Sequence, residues 1–388
     1  METKEKIVGR RLLYVTARFI PDAGGTEIHT YEVARRLATW GDRVAVVTTD
    51  REAKLPPSEE IDGIGVIRVR AWPSRSDTYF APALAAVVGA RWDLVHCQGY
   101  HTLVPPVAML AARRAGIPYV LSFHSGGHSS YLRNALRGVQ ATLLRPLATR
   151  AAALVAVSRF EASLFQRRLR VPQDQIHIIP NGAELPMPER PVHGPGRLIL
   201  SIGRLERYKG HQHAIRALPD VLATLPDARL ALVGSGPYDQ TLRALERALG
   251  VAGHVDHVTV PSHDRKAMAQ LIASASLVVL FSEYEAYSVA ALEAASLGRP
   301  VLAFDTSGLA DAVADGLAVG ISPRASAKEI ARAILEVLRS PRGPVQVRVP
   351  TWDECAGALS ELYGDVLRGR SPQNRSRAST SHTTLAVP

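Results

Sequence analysis

Short apolar runs alternate with longer helical stretches along most of the chain, and this alternation is the strongest constraint on its fold. Continuous apolar strands separated by helices are typical of parallel sheets that are covered on both faces. The predicted strands are 12–16, 43–49, 66–69, 94–97, 119–123, 154–157 and 176–179, then 198–202, 230–233, 255–260, 277–280, 301–304 and 318–321. Predicted helices between them include 26–40, 104–115 and 132–152. The sequence therefore predicts an α/β fold with doubly wound sheets.

The length of 388 residues predicts two domains, because one compact core seldom grows this large. A proline-rich stretch between residues 184 and 195 interrupts the alternation and is the predicted linker. The predicted boundaries are an N-terminal extension 1–11, a first domain 12–185, a linker 186–195, a second domain 196–351 and a last helix 352–368. The Ser-, Arg- and Thr-rich tail 369–388 is expected to be disordered.

Composition narrows the class of protein. The longest apolar stretch, near residues 80–90, is shorter than the roughly 20 residues that span a bilayer. The mixed-charge N-terminus does not resemble a signal peptide, and Cys97 and Cys355 lie far apart without metal-type spacing. A cytoplasmic protein with free thiols is expected.

The net charge of +10 is concentrated in one stretch, since residues 132–170 hold eight arginines and Glu161 as their one acidic residue. Leucines there recur at helical spacing, with Arg133, Arg137 and Arg145 on other faces. Two interpretations stay open: a core-facing helix with a solvated basic side, or a surface for an anionic acceptor or for anionic lipid at the inner membrane face. No nucleic-acid partner is expected.

An acidic stretch between two predicted strands carries the clearest chemical signal. Glu285 lies in the loop that follows strand 277–280, and Glu293 lies in the helix that comes next. Ligands of open α/β sheets bind beyond the carboxyl ends of the strands, where helix N-termini present free amides. A nucleotide-sugar suits such a place, because carboxylates accept hydrogen bonds from its hydroxyl groups and helix amides bind its phosphates.

A glycine-flanked turn supplies positive charge at a second strand end. Gly203 and Gly210 enclose Arg204 and Lys209 directly after strand 198–202. Two fixed cations and close backbone approach suit a diphosphate, although a solvated basic turn has the same pattern. The glycine turns at residues 24–25 and 233–237 are weaker signals of the same kind.

His124 ends a predicted strand and is followed by the polar, glycine-rich loop 125–130, which includes His128. Such a loop is a poor place for a core histidine. The position therefore favours a functional His124 over a structural one.

In order along the chain, Gly24-Gly25-x-Glu27, Ile179-Pro-Asn-Gly182, Gly203-Arg-Leu…Lys209-Gly210 and Glu285-x7-Glu293 followed by Gly298-x-Pro300 resemble the retaining GT-B glycosyltransferases of family four. The resemblance covers about residues 12–368. It implies two Rossmann-like domains that face a cleft, with the nucleotide-sugar in the second and most of the acceptor site in the first. It also implies a C-terminal helix, here 352–367, that crosses back to the first domain.

The resemblance implies roles for individual residues. Arg204 and Lys209 would hold the donor diphosphate, Glu285 the transferred sugar and Glu293 the ribose. The catalytic set would be His124, Glu285, Arg204 and Lys209, and the donor site would add Gly25, Gly203, Ser288, Val289 and Glu293. The acceptor or membrane surface would involve Gly24, His128, Arg133, Arg137 and Arg145, and the base would rest near residues 262–266.

The chain departs from the family pattern in two places. Glu285-Ala-Tyr-Ser288 stands where the family often has Glu-Gly-Phe-Gly, with Glu283 as an additional carboxylate. Ser307-Gly-Leu-Ala-Asp311 replaces a Gly-Gly-x-x-Glu pattern, which puts the family's sugar and base contacts there in doubt.

The sequence holds no Asp-x-Asp pair, so protein cations are expected in place of a metal, with no cofactor beyond the nucleotide-sugar co-substrate. The leading prediction is retaining transfer from a UDP- or GDP-sugar to a hydroxyl acceptor, in which departing phosphate accepts the proton; Glu285 as a nucleophile is the less favoured version. The alternatives are a soluble transferase for a small-molecule or natural-product acceptor, a nucleotide-sugar epimerase or phosphorylase, and a non-catalytic basic binding protein.

Overall fold

The computed structural model describes residues 9–21, 24–73, 79–89, 91–100, 102–125, 140, 142–187, 197–261, 264–339 and 348–369. These residues form two compact units. The first contains the described residues up to Ser125, those from 140 to Asn181 and those from Trp352 onward, and the second runs from Gly182 to Thr351. The predicted linker beyond residue 187 and the tail beyond residue 369 lie outside the described residues.

The first unit is built on a sheet of eight strands, in the order β3-β4-β2-β1-β5-β6-β7-β8. All neighbouring strands are parallel except the antiparallel pair β3 and β4. The strands are β1 (Arg11–Thr16), β2 (Arg43–Asp50), β3 (Ser58–Ile61), β4 (Ile64–Arg70), β5 (Leu94–Gln98), β6 (Tyr119–Ser122), β7 (Ala153–Ala156) and β8 (Ile176–Ile178).

The second unit is built on a six-stranded, all-parallel sheet in the order β11-β10-β9-β12-β13-β14. Its strands are β9 (Arg197–Ile202), β10 (Ala228–Val233), β11 (Val255–Val258), β12 (Leu277–Leu280), β13 (Val301–Phe304) and β14 (Val319–Ile321).

Helices connect the strands and cover the sheets. In the first unit they are α1 (Gly25–Thr39), α2 (Leu84–Val87), α3 (Val104–Arg114) and α4 (Arg159–Leu169), and residues 142–148 are also helical. In the second they are α5 (His211–Leu222), α6 (Asp239–Ala248), α7 (Arg265–Ser274), α8 (Val289–Ser296), α9 (Ser307–Ala314) and α10 (Ala327–Arg339). The last helix, α11 (Trp352–Leu367), belongs to the first unit.

Each unit has two apolar cores, which together account for the buried strands. The inner strands are buried along their whole length, as in β5, β6, β7, β12 and β13. This explains the continuous apolar runs in the sequence, because helices cover both faces of each sheet. The predicted α/β class with two doubly wound units is confirmed.

The strand that the sequence analysis missed is β3. Its residues Ser-Glu-Glu-Ile are mostly polar, because β3 is an edge strand that pairs on one side with β4. The turn between the two strands is Asp62-Gly63, and both residues have positive φ, 49° and 79°. This dipeptide is a strong hairpin signal and could have revealed the strand.

The prediction of a helix over 132–152 is only partly covered. Residues 132–139 and 141 lie outside the described residues, whereas the helix at 142–148 ends in a turn at Thr149 and Arg150. Pro146 lies within this last part, two residues before the end of the helix, and contributes no amide hydrogen to it.

A buried polar network ties α11 to the sheet of the first unit. The hydroxyl groups of Tyr14 and Tyr363 lie 2.6 Å apart, and the Tyr363 hydroxyl also contacts Nδ1 of His96 at 2.5 Å. Arg10 donates 2.8 Å hydrogen bonds to the carbonyl and hydroxyl oxygens of Ser360. Because buried polar groups are costly unless paired, these bonds fix where α11 packs.

Glycine is required at the turn before α5, and this generates a stability prediction. Gly210 has φ of 79°, and a Cβ added there would lie 1.9 Å from the carbonyl oxygen of Phe281. Gly250 has a similar φ of 70° but open space around the same position. We expect Gly250→Ala to cost about 1 kcal/mol, from backbone strain alone, and Gly210→Ala about 3 kcal/mol or more. Denaturant titration measures both, and equal losses would contradict the steric argument.

Candidate active site

A lysine and a glutamate from distant parts of the chain form an ion pair in the second unit. Nζ of Lys209 donates to Oε1 of Glu285 at 2.8 Å, and both side chains are largely buried. Lys209 follows β9 and Glu285 follows β12, and these strands are neighbours in the sheet. Burial opposes the charge on Lys209, but Glu285 outweighs it and raises the pKa of the lysine. Lys209 is therefore a fixed cation.

The loop that carries Glu285 is held by its own neighbours. The hydroxyl of Ser282 donates to Oε1 of Glu285 at 2.9 Å, and the amide of Glu285 donates to the hydroxyl of Ser307 at 2.9 Å. The amide of Gly308 donates to the carbonyl of Glu285 at 2.9 Å, and a Cβ on Gly308 would lie 2.2 Å from the carbonyl oxygen of Ala286. The start of α9 is thus packed directly on this loop.

Ser307 gives one departure from the family pattern a physical explanation. The residue has φ of 51°, which is strained for any residue with a side chain. A glycine would adopt this conformation freely, but only a hydroxyl can accept the amide hydrogen of Glu285. Serine therefore has a strained backbone conformation at this position, but its hydroxyl adds a second hydrogen bond that holds the loop.

Arg204 lies on the same turn as Lys209 but has a different partner. Its guanidinium pairs with Glu206 at 2.7 Å, and 58% of the side chain is exposed. His211, fully buried at the start of α5, supports the turn, because its Nε2 contacts the Arg204 carbonyl at 3.2 Å and its Nδ1 contacts Ser201 at 2.7 Å. Burial lowers the pKa of His211 to about 4, so the ring is neutral. The turn therefore presents the buried cation Lys209 and the exposed cation Arg204, together with the exposed Arg207.

Two strand-end turns of the second unit, those after β9 and β10, approach each other closely. A Cβ on Gly234 would lie 2.1 Å from the carbonyl oxygen of Gly203, and one on Gly236 would lie 2.4 Å from that of Leu205. Gly203 itself has φ of 151° and faces Lys209. These glycines keep side chains out of the edge where the cations lie.

Glu293 is the fifth residue of α8, about one turn into the helix. It is 5% exposed and forms an ion pair with Arg265, the first residue of α7. Burial raises the pKa of Glu293, while Arg265 opposes that rise. Ser288 caps α8 by accepting the amide of Ala291 at 3.3 Å, and Val289 opens the helix.

In the first unit His124 is buried and has φ of 41°. Its Nε2 lies 2.7 Å from Oε1 of Gln98, and its ring packs edge-on against His29, with centroids 4.5 Å apart. Nδ1 of His29 contacts Oδ1 of Asn181 at 2.8 Å, and burial lowers the pKa of His29 to about 4. Asn181 belongs to the Ile179–Gly182 motif. Through His29, this motif is connected to His124.

The glycine turn before α1 is tightly built. Gly24 is the N-terminal cap of α1 and Gly25 its first residue. A Cβ on Gly24 would lie 2.5 Å from Oε2 of Glu27, a carboxylate that pairs with Arg18 at 3.3 Å. Gly25 has open space at the same position, so it leaves the helix N-terminus accessible.

The remaining predicted site residues differ in coverage. His128, Arg133 and Arg137 lie outside the described residues, as do residues 262 and 263 of the predicted base loop. Arg145 is exposed on the helix at 142–148. Residues that the sequence analysis missed are Gln98, His29, Glu161, His211 and Arg265. All but His211 have a partner distant in sequence, whereas His211 contacts Ser201 and Arg204, ten and seven residues away.

Two parallel-sheet units of this kind, with their polar groups gathered at strand ends, define the GT-B class of glycosyltransferase. Residues 23–185 match the family model "Glycosyltransferase Family 4" and residues 187–348 match "Glycosyl transferases group 1". The chain is 32% identical to D-inositol 3-phosphate glycosyltransferase of Nocardiopsis dassonvillei, over 81% of this chain and 82% of that one. The protein therefore belongs to the glycosyltransferase family that these two models describe, and it is a glycosyltransferase.

Solved structures share the fold. Sucrose-phosphate synthase from Thermosynechococcus elongatus superposes with a TM-score of 0.70 at 19% identity, covering 96% of this chain and all of that one. HepE of Anabaena, solved in complex with UDP-glucose, gives a TM-score of 0.66 at 19% identity and covers 95% of this chain and 99% of that one. At such identities the likeness concerns the fold.

Two further findings concern the described residues alone. None of their helices is long and apolar enough to cross a membrane. No three His, Cys, Asp or Glu side chains among them are arranged to hold a metal ion.

The buried pair of Glu293 and Arg265 generates a pH-dependent prediction. Arg265→Met leaves the carboxylate without its cation, so the pKa of Glu293 rises further in the folded state. A raised folded-state pKa means that stability is lost as pH increases through it. We expect unfolding free energy to fall by about 1–3 kcal/mol near pH 8 and by less near pH 5. Denaturant titration at both pH values measures this.

The double variant Arg265→Met/Glu293→Gln is the control, because a neutral amide needs no cation. It should recover most of the stability near neutral pH. Equal destabilisation at both pH values, or no recovery in the double variant, would contradict the electrostatic explanation.

Proposed function

We propose that the protein transfers a sugar with retention from a UDP- or GDP-sugar to a hydroxyl acceptor. The observation that carries this proposal is the Lys209–Glu285 pair at the adjoining ends of β9 and β12. It combines a fixed cation with a carboxylate at one point. A sugar bound to a diphosphate needs both, because its hydroxyls donate to a carboxylate and its phosphates require positive charge.

The charge that develops in the reaction matches the side chains in the second unit. Breaking the bond between sugar and diphosphate leaves negative charge on phosphate and positive charge on the ring. Lys209, the exposed Arg204 and the amides at the start of α8 would stabilise the negative charge on phosphate. Because these groups are held before the reaction, they need little reorganisation during it. They would supply the charge that a metal supplies elsewhere.

Glu285 has the geometry of a binding group rather than a nucleophile. One of its oxygens already accepts from both Lys209 and Ser282. Such bonds reduce the nucleophilicity of a carboxylate, while its other oxygen stays suited to sugar hydroxyls. Retention then follows from attack on the face that the phosphate leaves, with a phosphate oxygen accepting the proton of the acceptor hydroxyl.

Glu293 would accept hydrogen bonds from the ribose, with Arg265 keeping its carboxylate charged. In the first unit, His124 would contact the reacting sugar, and the accessible amide of Gly25 would serve the phosphate or the acceptor. The name of the Nocardiopsis relative indicates a phosphorylated polyol acceptor. A small acceptor of that kind is the second candidate for this chain.

Substitutions in the donor site test the proposal. Lys209→Ala and Glu285→Ala should each lower kcat/KM for nucleotide-sugar hydrolysis or transfer about 100-fold, because each removes a charge matched to the transition state. Arg204→Ala should lower it as well. A panel of UDP-, GDP- and dTDP-sugars, followed by proton NMR of the product anomer, gives donor, rate and stereochemistry together.

Arg243→Ala is the matched control, since Arg243 is an exposed arginine of the same unit that pairs with Asp239 within α6. Such surface pairs contribute about 1 kcal/mol or less, so wild-type turnover is expected. Thermal stabilisation by nucleotide-sugars without any turnover would favour a binding-only protein. An inverted product would refute retention.

We also propose that the first unit binds anionic membrane, where a lipid-linked acceptor would lie. On the described helix 142–148, Leu143 is 75% exposed, and Arg145, two residues further on and on another side of the helix, is exposed as well. Apolar and cationic side chains exposed together are typical of interfacial helices. A soluble phosphorylated polyol would instead need no such surface.

Vesicle co-sedimentation distinguishes these acceptor classes. The protein should bind vesicles containing acidic lipid at low salt, and Leu143→Asp/Arg145→Glu should reduce that binding severalfold. The double variant Leu249→Asp/Arg243→Glu, with the same changes on an exposed surface of the second unit, should bind as the wild type does. Equal recovery with and without acidic lipid would reject the membrane surface.

A further inference from the structure

Four neighbouring strands of the first unit contribute residues around His124. Gln98 is the last residue of β5, and His124 and Ser125 follow β6. Val157 comes directly after β7, and Asn181 follows β8. Since β5 to β8 are consecutive and parallel in the sheet, their carboxyl ends meet at one edge. The residues that follow them are therefore brought together by topology.

The backbone of His124 is strained. Its φ of 41° lies in the left-handed region, which is unfavourable for a residue with a Cβ. Such a conformation persists only where its surroundings impose it. The question is therefore which groups hold this turn.

Glu161 holds the chain directly after His124. Its side chain is fully buried, Oε1 accepts the amide of Ser125 at 2.6 Å, and Oε2 accepts the amide of Val157 at 2.9 Å. The carboxylate thus bridges the ends of β6 and β7. It is itself fixed at the start of α4, where the hydroxyl of Ser158 accepts the amide of Glu161 at 3.0 Å. Burying a carboxylate is unfavourable unless it is hydrogen-bonded, so the two backbone bonds are needed to stabilise Glu161 in this position.

Gln98 and His29 hold the ring of His124. Oε1 of Gln98 can only accept, so the hydrogen of the 2.7 Å contact belongs to Nε2 of His124. His29 packs against the same ring and is anchored by Asn181. Gln98 is 2% exposed and His29 is 1% exposed, so both lie away from solvent.

We propose that Glu161 and Gln98 are positioning residues for His124 in sugar transfer. Glu161 acts through the backbone of Ser125 and sets the turn, whereas Gln98 acts through the imidazole and sets which nitrogen carries the hydrogen. Neither residue touches the substrate. This inference rests on the proposed function, in which His124 contacts the reacting sugar.

A double-mutant cycle tests it. Glu161→Gln keeps the shape but offers one acceptor and one donor, so one backbone amide loses its partner. Gln98→Met keeps the length and removes the acceptor. Each should lower kcat about 10-fold or more, because small misplacements of reacting groups carry losses up to about 100-fold, with KM for the donor little changed.

The cycle is completed with His124→Ala. If both residues act through His124, adding Glu161→Gln or Gln98→Met to His124→Ala should cause no further loss. Losses that multiply in the double variants, or wild-type kcat in both single variants, would overturn the proposal. Where one single variant fails to fold, the cycle with the other decides.

Glu246→Gln is the matched control. Glu246 is a buried carboxylate of the second unit whose Oε1 contacts Nε2 of His257 at 2.8 Å. Removing its charge disturbs a buried carboxylate without reaching His124. It should leave kcat unchanged and combine additively with His124→Ala.

The ring state of His124 has a readout that needs no turnover. Nitrogen-15 NMR of the imidazole groups should show the hydrogen of neutral His124 on Nε2 in the wild type and a mixture of tautomers in Gln98→Met. An unchanged ring signal in the variant would overturn the role of Gln98. If the wild type shows the expected ring state yet processes no nucleotide-sugar, the proposed function fails and the positioning geometry stands.

Discussion

The parallel sheet, buried on both faces, is the constraint on which the rest of the structure depends. Its inner strands have no solvated face, so chemistry can be placed only where strands end. In the second unit, β9 and β12 bring Lys209 and Glu285 into contact although 76 residues separate them in sequence. In the first, β5 and β6 do the same for Gln98 and His124. Both groups are consequences of strand order before they are consequences of any single side chain.

Close backbone approach is the second requirement of such an edge. At Gly210 and Gly308 a backbone carbonyl lies so close that there is no room for a Cβ. Both glycines lie beside the loop that carries Glu285. Backbone in contact with backbone leaves little freedom for the loop. The ion pair with Lys209 therefore forms on a rigid base, which is what preorganised electrostatic stabilisation needs.

The sequence predicted the strands and the charged turns well but not the partners of each charge. Apolar runs locate buried strands because burial on two faces excludes polar residues, and β3 was missed because an edge strand escapes that rule. The residues Glu285, Lys209 and His124 were recognisable from their places after strands. Glu161, Arg265 and His29 were not, because their roles depend on contacts across the fold. Ser307 was recognised as a departure from the family pattern, but its hydrogen bond to the amide of Glu285 is visible only in the structure.

Three buried glutamates illustrate how environment separates roles that composition cannot. Glu161 accepts a backbone amide on each oxygen and is fully buried, so it acts on the chain. Glu293 pairs with one arginine, which favours the charged carboxylate, and the proposed function assigns this carboxylate to the ribose. Glu285 accepts a lysine and a serine hydroxyl on one oxygen, and the proposed function assigns its other oxygen to the sugar. The partners of each carboxylate, rather than its burial, therefore distinguish a group that holds the backbone from the groups that the proposed function assigns to the donor.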